Sequence, residues 1–266
     1  MKSNSETAAG VPLARIVTWL DDILQTESTP DYPGALNGLQ LANRGTVTKV
    51  AAAVDFSTRS ARAAIEANVD LLIVHHGMFW AGAQAIVGQR FSRLAELIEA
   101  GVAVYSSHLP LDCHPQLGNN VLLAKTLGLD PSGEFARFKN IFVGVQGTSE
   151  TSTQTLVDRA RAFSRSHGGD TIATASDPGR VTHRWAICTG SGASAETLDE
   201  ATRDDIDTLI VGEGPHWTAV DASDRGIAII YVGHYASETL GVYALAAEVS
   251  KQFDVPSICI SAPTGL

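Results

Sequence analysis

The sequence predicts an α/β protein of two interlocked lobes, each a sheet covered by helices. Short apolar runs of strand character alternate with helix-period segments along the chain, and the alternation starts afresh after Pro131-Ser132-Gly133. A length of 266 residues suits one large domain or two modest ones. The expected division is residues 1–130 plus 234–266 for the first lobe and 131–233 for the second.

Taken in order, Leu13, Ile16, Val17, Leu20 and Leu24 recur at helical spacing, and Pro12 suits a first helical turn. Val47 to Val54 reads as a strand, Ser57 as the cap of a helix reaching about Asn68, and Leu71 to Val74 as a short buried strand. Phe91 to Ala100 reads as helix, Val102 to Tyr105 as strand and Asn119 to Leu127 as helix. In the second set, strands are expected at Ile141 to Val145, Trp185 to Cys188, Thr208 to Val211 and Ile227 to Tyr231. Helices are expected at Thr153 to Ser166 and Ala195 to Arg203, and a last helix at about Tyr235 to Phe253 precedes a strand at Ser257 to Ile260.

Composition narrows the function classes. A formal net charge of -10 argues against a nucleic-acid surface, which needs a basic face to meet phosphates. It leaves a small-molecule substrate open, even an anionic one, because a bound metal inverts the local field. Three scattered cysteines, Cys113, Cys188 and Cys259, form no C-x-x-C pattern and point to a reducing compartment. No apolar run approaches a membrane span, and Met1 to Thr7 has no apolar leader region, so no membrane association and a cytoplasmic location are expected.

The chemistry concentrates at the ends of apolar runs. His75 and His76 close the run that begins at Val69, just where an open α/β sheet presents ligands. Strand alternation sends neighbouring side chains to opposite faces, so both imidazoles converge only if the strand turns at Gly77; otherwise each serves a different metal. His108 and Asp112 follow a strand, and one helical turn between them would bring them together. His234 and Glu238 stand four apart at the start of the last helix, on one face. Singly, each pair also reads as an ordinary structural feature, such as an imidazole capping a carbonyl or a Glu at a helix N-terminus. Together they give four imidazoles and two carboxylates, more than one four-coordinate structural zinc needs, and suit a two-metal site with a bridging carboxylate. Such mixed N/O ligation fits Zn, Fe, Mn, Co or Ni.

Three further features weigh less. Gly190-Ser191-Gly192-Ala193-Ser194-Ala195 formally matches a dinucleotide fingerprint, but without the acidic residue expected downstream it reads as a tight strand-to-helix turn. Cys113 reads as a small core residue and His114 as a loop residue facing solvent or substrate. His216 and Trp217, after Gly212-Glu213-Gly214-Pro215, either line the same cleft or sit on the surface.

Asn37-Gly38-Leu39-Gln40, Val54-Asp55, His75-His76-Gly77, His108-x-x-x-Asp112 with Gly118-Asn119-Asn120, Gly212-Glu213 and Gly233-His234-Tyr235-x-x-x-Glu238 resemble, in order, the motifs of the Nif-three-like family. Bacterial members of that family are often described as GTP cyclohydrolase I type 2 homologues. The resemblance runs from about residue 13 to 260 and is to the compact form, which has no long insertion between the lobes. It implies a dinuclear metal centre between two α/β lobes, two divalent ions per chain, and a ring-shaped homohexamer. The implied ligands are His75, His76, His108, Asp112, His234 and Glu238, with Glu238 the bridge and Asp55 orienting a ligand imidazole. On this reading the protein is expected to be a metal-dependent hydrolase, cyclohydrolase-like and acting on C–N bonds other than peptide bonds. Its substrate is expected to be small, cyclic or nucleotide-like. Glu238 and His216 are its expected catalytic residues, with His114 the other candidate acid. The alternative is a non-catalytic metal-binding, metal-delivery or regulatory protein.

Overall fold

A computed structural model describes residues 10–174 and 177–266 of the chain. In chain order the elements begin with β1 (Val11–Pro12), α1 (Leu13–Leu24), β2 (Gly38–Leu41), β3 (Thr46–Val47), β4 (Val50–Asp55), α2 (Thr58–Glu66), β5 (Leu71–His76), α3 (Gly88–Ala100) and β6 (Ala103–Ser106). They continue with α4 (Leu109–Asp112), α5 (Asn119–Thr126), β7 (Gly133–Phe138), β8 (Ile141–Ser152), α6 (Thr153–Ser166), β9 (Ile172–Ala173), β10 (Val181–Cys188) and α7 (Ala195–Arg203). The last are β11 (Thr208–Val211), α8 (His216–Asp224), β12 (Ala228–Tyr231), α9 (His234–Phe253) and β13 (Ser257–Cys259). The fold is therefore mixed α/β, as the alternation of patterns implies.

The chain divides into two compact units, residues 1–108 with 242–262, and residues 109–241 with 263–266. These boundaries differ from the expected join near residue 131. Leu123, Ala124, Leu127 and Leu129 are buried in one apolar cluster with Leu156, Trp185 and Ile187, so the α5 segment belongs with the second sheet. The opening residues of α9 go with the same unit.

The first unit is built on a five-stranded sheet of order β13-β4-β5-β6-β2. Its first four strands run parallel, and β2 pairs antiparallel with β6. Every residue from Val50 to Val54 and from Leu71 to His75 is buried, the unbroken apolar run of strands covered on both faces. Ser57 caps α2 with a full capping box: its hydroxyl accepts from Ser60 N, and the Ser60 hydroxyl accepts from Ser57 N. The strand expected from Val47 to Val54 is broken instead. The Asp70 carboxylate accepts from Thr48 N at 2.6 Å and Lys49 N at 3.2 Å, so β3 swings away to pair antiparallel with β1.

The second unit holds a six-stranded sheet of order β7-β8-β10-β11-β12-β9. Strands β10, β11 and β12 are parallel, while β7, β8 and β9 are antiparallel additions. Apolar clusters built around Trp185 and Leu156, and around Phe135, Leu198 and Leu209, form its core. Strand β7 starts at the last residue of Pro131-Ser132-Gly133 and runs to Phe138, ahead of the first strand expected in the second set, at Ile141. Its hairpin to β8 turns through Lys139 at φ 53°, without the glycine that normally announces such a turn.

Candidate metal centre

In the first unit, three histidines converge. His75, His76 and His108 each offer a ring nitrogen, and these atoms all lie within 4.8 Å of one another. The ring centroids of His75 and His76 are 4.8 Å apart and those of His75 and His108 4.9 Å. Two elements bring them there: β5 ends in the His pair, and the chain after β6 delivers His108.

The pair converges because its two members are held from opposite sides. His75 Nδ1 donates to the Ser107 carbonyl at 2.9 Å, beyond the end of β6. His76 Nδ1 meets Asp55 Oδ1 at 2.9 Å, at the end of β4. A carbonyl oxygen can only accept, so the His75 proton is on Nδ1 and the lone pair is on Nε2. Gly77 then gives the close approach the turn requires. A Cβ there would collide with the Gln40 amide, whose Oε1 accepts from Met78 N at 2.6 Å and whose Nε2 donates to Ala35 O at 3.0 Å.

His108 has the same kind of anchor. Its Nδ1 meets Asp31 Oδ1 at 2.9 Å, and Asn37 ties the pair by donating to Asp31 Oδ2 while accepting from His108 N, both at 2.8 Å. Burial pushes the Asp31 carboxyl up, but the hydrogen bonds from His108, Asn37 and Tyr32 N more than reverse this and hold it below the usual range. Trp80 walls the cluster, its ring 4.7 Å from that of His108 and 5.4 Å from that of His76. All three imidazoles thus carry an oxygen on Nδ1, the arrangement that fixes tautomer and ring angle in histidine–metal sites. This donor set fits a divalent transition metal bound through Nε2.

In the second unit, His234 and Glu238 lie on one face of the first turns of α9, with His234 Nε2 3.1 Å from Glu238 Oε2. His234 Nδ1 lies 2.7 Å from Glu213 Oε1, in the turn after β11. Burial alone would lower the His234 pKa, but the carboxylates of Glu238 and Glu213 outweigh it and push the value up to about 9. Glu238 is 3 % exposed. Gly190, at φ +61°, makes room for it, since a Cβ there would strike Glu238 Oε1. The glycine-rich segment is therefore a tight turn fitted around a carboxylate, and Ser194 caps the helix that follows. Asp112 ends the short α4 turn and accepts from Asn119 Nδ2 at 2.8 Å; Asn119 Oδ1 in turn accepts from Gly241 N at 2.7 Å.

His216 is exposed at the N-terminus of α8 and lines a cleft of about 330 Å³ with Glu213, Tyr231 and Ile172. Trp217 is 46 % exposed and not part of that lining. His114 is otherwise engaged: its Nδ1 accepts from Leu117 N at 3.0 Å and Gln116 N at 3.2 Å, and burial lowers its pKa. Cys113 is half-buried rather than a core residue, and its thiol donates to Phe142 O at 3.4 Å. Residue-level reading missed Asp31, Asn37 and Gln40 as supports. The signal available for the last two was the Asn37-Gly38-Leu39-Gln40 motif.

The fold is a mixed α/β one in which a parallel strand ends in anchored imidazoles that could hold a metal ion at the strand's carboxyl end. Its family follows from the sequence as a whole. The chain belongs to the Duf34/NIF3 (NGG1p interacting factor 3) family, whose profile matches residues 11–264. A Deinococcus radiodurans protein named GTP cyclohydrolase 1 type 2 homolog is 36% identical over 270 residues, covering 99% of this chain and 98% of its own. Among solved structures, protein ybgI, of unknown function, superposes with a TM-score of 0.86 at 30% identity, over 96% of this chain and 100% of its own. TTHA1606 from Thermus thermophilus superposes with a TM-score of 0.83 at 34% identity, over the same shares. No helix among the described residues is long and apolar enough to cross a membrane.

Proposed function

We propose that this protein is a metal-dependent hydrolase with a dinuclear centre, acting on a C–N bond of a small cyclic or nucleotide-like substrate. The observation that carries the reading is the His75, His76 and His108 cluster, with donor atoms within 4.8 Å of one another and each ring anchored through Nδ1. With them, Asp112, His234 and Glu238 would complete the ligand set. Bound there, two divalent ions would supply Lewis acidity, raising the acidity of water and polarising a carbon–nitrogen centre. His216, exposed on the cleft that Glu213 also lines, would hand a proton to a departing nitrogen. The name of the Deinococcus relative supports the reaction class. A cytoplasmic homohexamer is the expected setting.

One observation favours a second reading, a non-catalytic metal-binding or metal-delivery protein. Two carboxylates that touch imidazoles of the first unit, Asp31 and Asp55, serve as anchors on Nδ1 rather than facing a reactant.

The test is metal analysis of protein purified without added metal, then a product screen over nucleotides, pterins and small cyclic amides. The hydrolase reading expects about two metals per chain, lost on His75→Ala, and a hydrolysis product. Glu238→Gln should abolish turnover with the fold intact; unchanged turnover in that variant sinks the proposal. Metal that transfers readily to an acceptor, with no product from any substrate, would favour the second reading.

A further inference from the structure

Helix α3 presents two arginines to one small apolar cavity. Arg90 and Arg93 stand three apart, hence on the same helix face, and line a space of about 150 Å³ with Phe56, Met78, Phe79 and Ile86. The Arg93 guanidinium sits over the Phe56 ring, 4.5 Å from its centroid, and Arg90 lies 5.9 Å from that of Phe79. No Asp or Glu lines the cavity. Among the described residues Arg93 makes no ion pair, and its buried Nε has no hydrogen-bond partner. Arg90 reaches only neutral oxygens, Gln84 Oε1 at 2.9 Å and Met78 O at 3.4 Å.

This is unusual in a chain with 29 acidic and 19 basic residues. Other arginines find carboxylates: Arg62 pairs with Glu96, Arg165 with Asp170, and Arg225 with both Asp199 and Asp221. Two like charges at i,i+3 repel, and a buried guanidinium Nε without a partner is costly. Burial and the charge of Arg90 both lower the Arg93 pKa. An oxyanion between the two forks would remove both penalties, since guanidinium and carboxylate or phosphate match in a bidentate geometry.

We propose that this cavity binds a small ligand carrying a carboxylate or phosphate on an apolar body no larger than about one ring. The aromatic and aliphatic walls define the body, the paired guanidinia define the oxyanion, and the volume falls below the drug-sized range of roughly 300–1,000 Å³. The cavity also shares backbone with the histidine cluster. Phe56 follows Asp55, Phe56 N donates to His76 O at 2.8 Å, and Met78 lies two residues past His76. Binding here needs neither metal nor turnover, so it stands or falls separately from the proposed hydrolase.

The test uses the full chain, metal-free and metal-loaded, titrated calorimetrically with benzoate and with phenyl phosphate, and with benzamide as the uncharged control. One saturable site per chain is expected for at least one oxyanion, with benzamide at least about tenfold weaker. Arg93→Met should weaken the oxyanion by at least about tenfold and leave metal content unchanged. Arg93→Lys, which keeps the charge, should retain part of the affinity and serves if the Met variant does not fold. Absence of saturable binding by either oxyanion, or affinity unchanged in both Arg90→Met and Arg93→Met, overturns the proposal. So does dissociation of an oligomer on Arg93→Met without benzoate binding to the wild type, which would assign the cavity to a carboxylate of a second copy.

Discussion

Asp31 reaches His108 across 77 positions of sequence, and Glu213 reaches His234 across 21. Each carboxylate sets the angle of one imidazole, so neutralising it should loosen the ring without removing the donor nitrogen. Asp31→Asn and Glu213→Gln are each expected to cost roughly 10–100-fold in metal affinity, read by competition with a chromophoric chelator, with an unchanged circular dichroism spectrum. Unchanged affinity in both would mean that the imidazoles hold their places unaided. Gly190→Ala is expected to be worse tolerated. At φ +61° the backbone alone costs about 1–2 kcal/mol with any side chain, and the added methyl group strikes Glu238. A lower urea midpoint together with weakened metal binding would confirm it. The histidines themselves were legible because each interrupts or follows an apolar run, where an imidazole needs a reason to be. Their anchors were not. A carbonyl such as that of Ser107 has no signature at all, and Asp31 is one acid among 29 until the fold carries it to His108.

At the scale of elements, the regular helices were readable almost to the residue. Leu13–Leu24, Thr153–Ser166 and Ala195–Arg203 match the expected spans, because each combines apolar periodicity with a clear start. Ser57 and Ser194 both close capping boxes, and Ser57→Ala and Ser194→Ala should each cost about 1 kcal/mol by chemical denaturation. A loss below a few tenths in either would mean that tertiary packing alone fixes that helix end. The elements that escaped reading lack such signals. Helix α8 buries only Thr218 and Ala222, so its sequence shows no apolar stripe, and β2, β7 and β9 are antiparallel additions outside the parallel strand–helix alternation. The break between β3 and β4 depends on Asp70, 22 positions from Thr48, and no local pattern could announce it.

For the whole molecule, metal binding should act as a stabiliser by mass action. A divalent ion of the right kind at a hundredfold excess over its dissociation constant should add about 2.7 kcal/mol, seen as a higher thermal midpoint that a chelator reverses. No shift with Zn, Mn, Fe, Co or Ni would contradict a resident centre. Chain order within the two units has a further effect during synthesis. Residues 109–241 supply every strand of the six-stranded sheet in one stretch, whereas the five-stranded sheet borrows β13 from residues 257–259. A chain leaving the ribosome can therefore finish the later-encoded sheet before the earlier one. Meanwhile β4, an Ala- and Val-rich strand, waits with one hydrogen-bonding edge open until Ser257–Cys259 arrives to pair with Val50–Ala52. Strand β13, translated after the whole of the six-stranded sheet, thus acts as the latch for that open nascent edge.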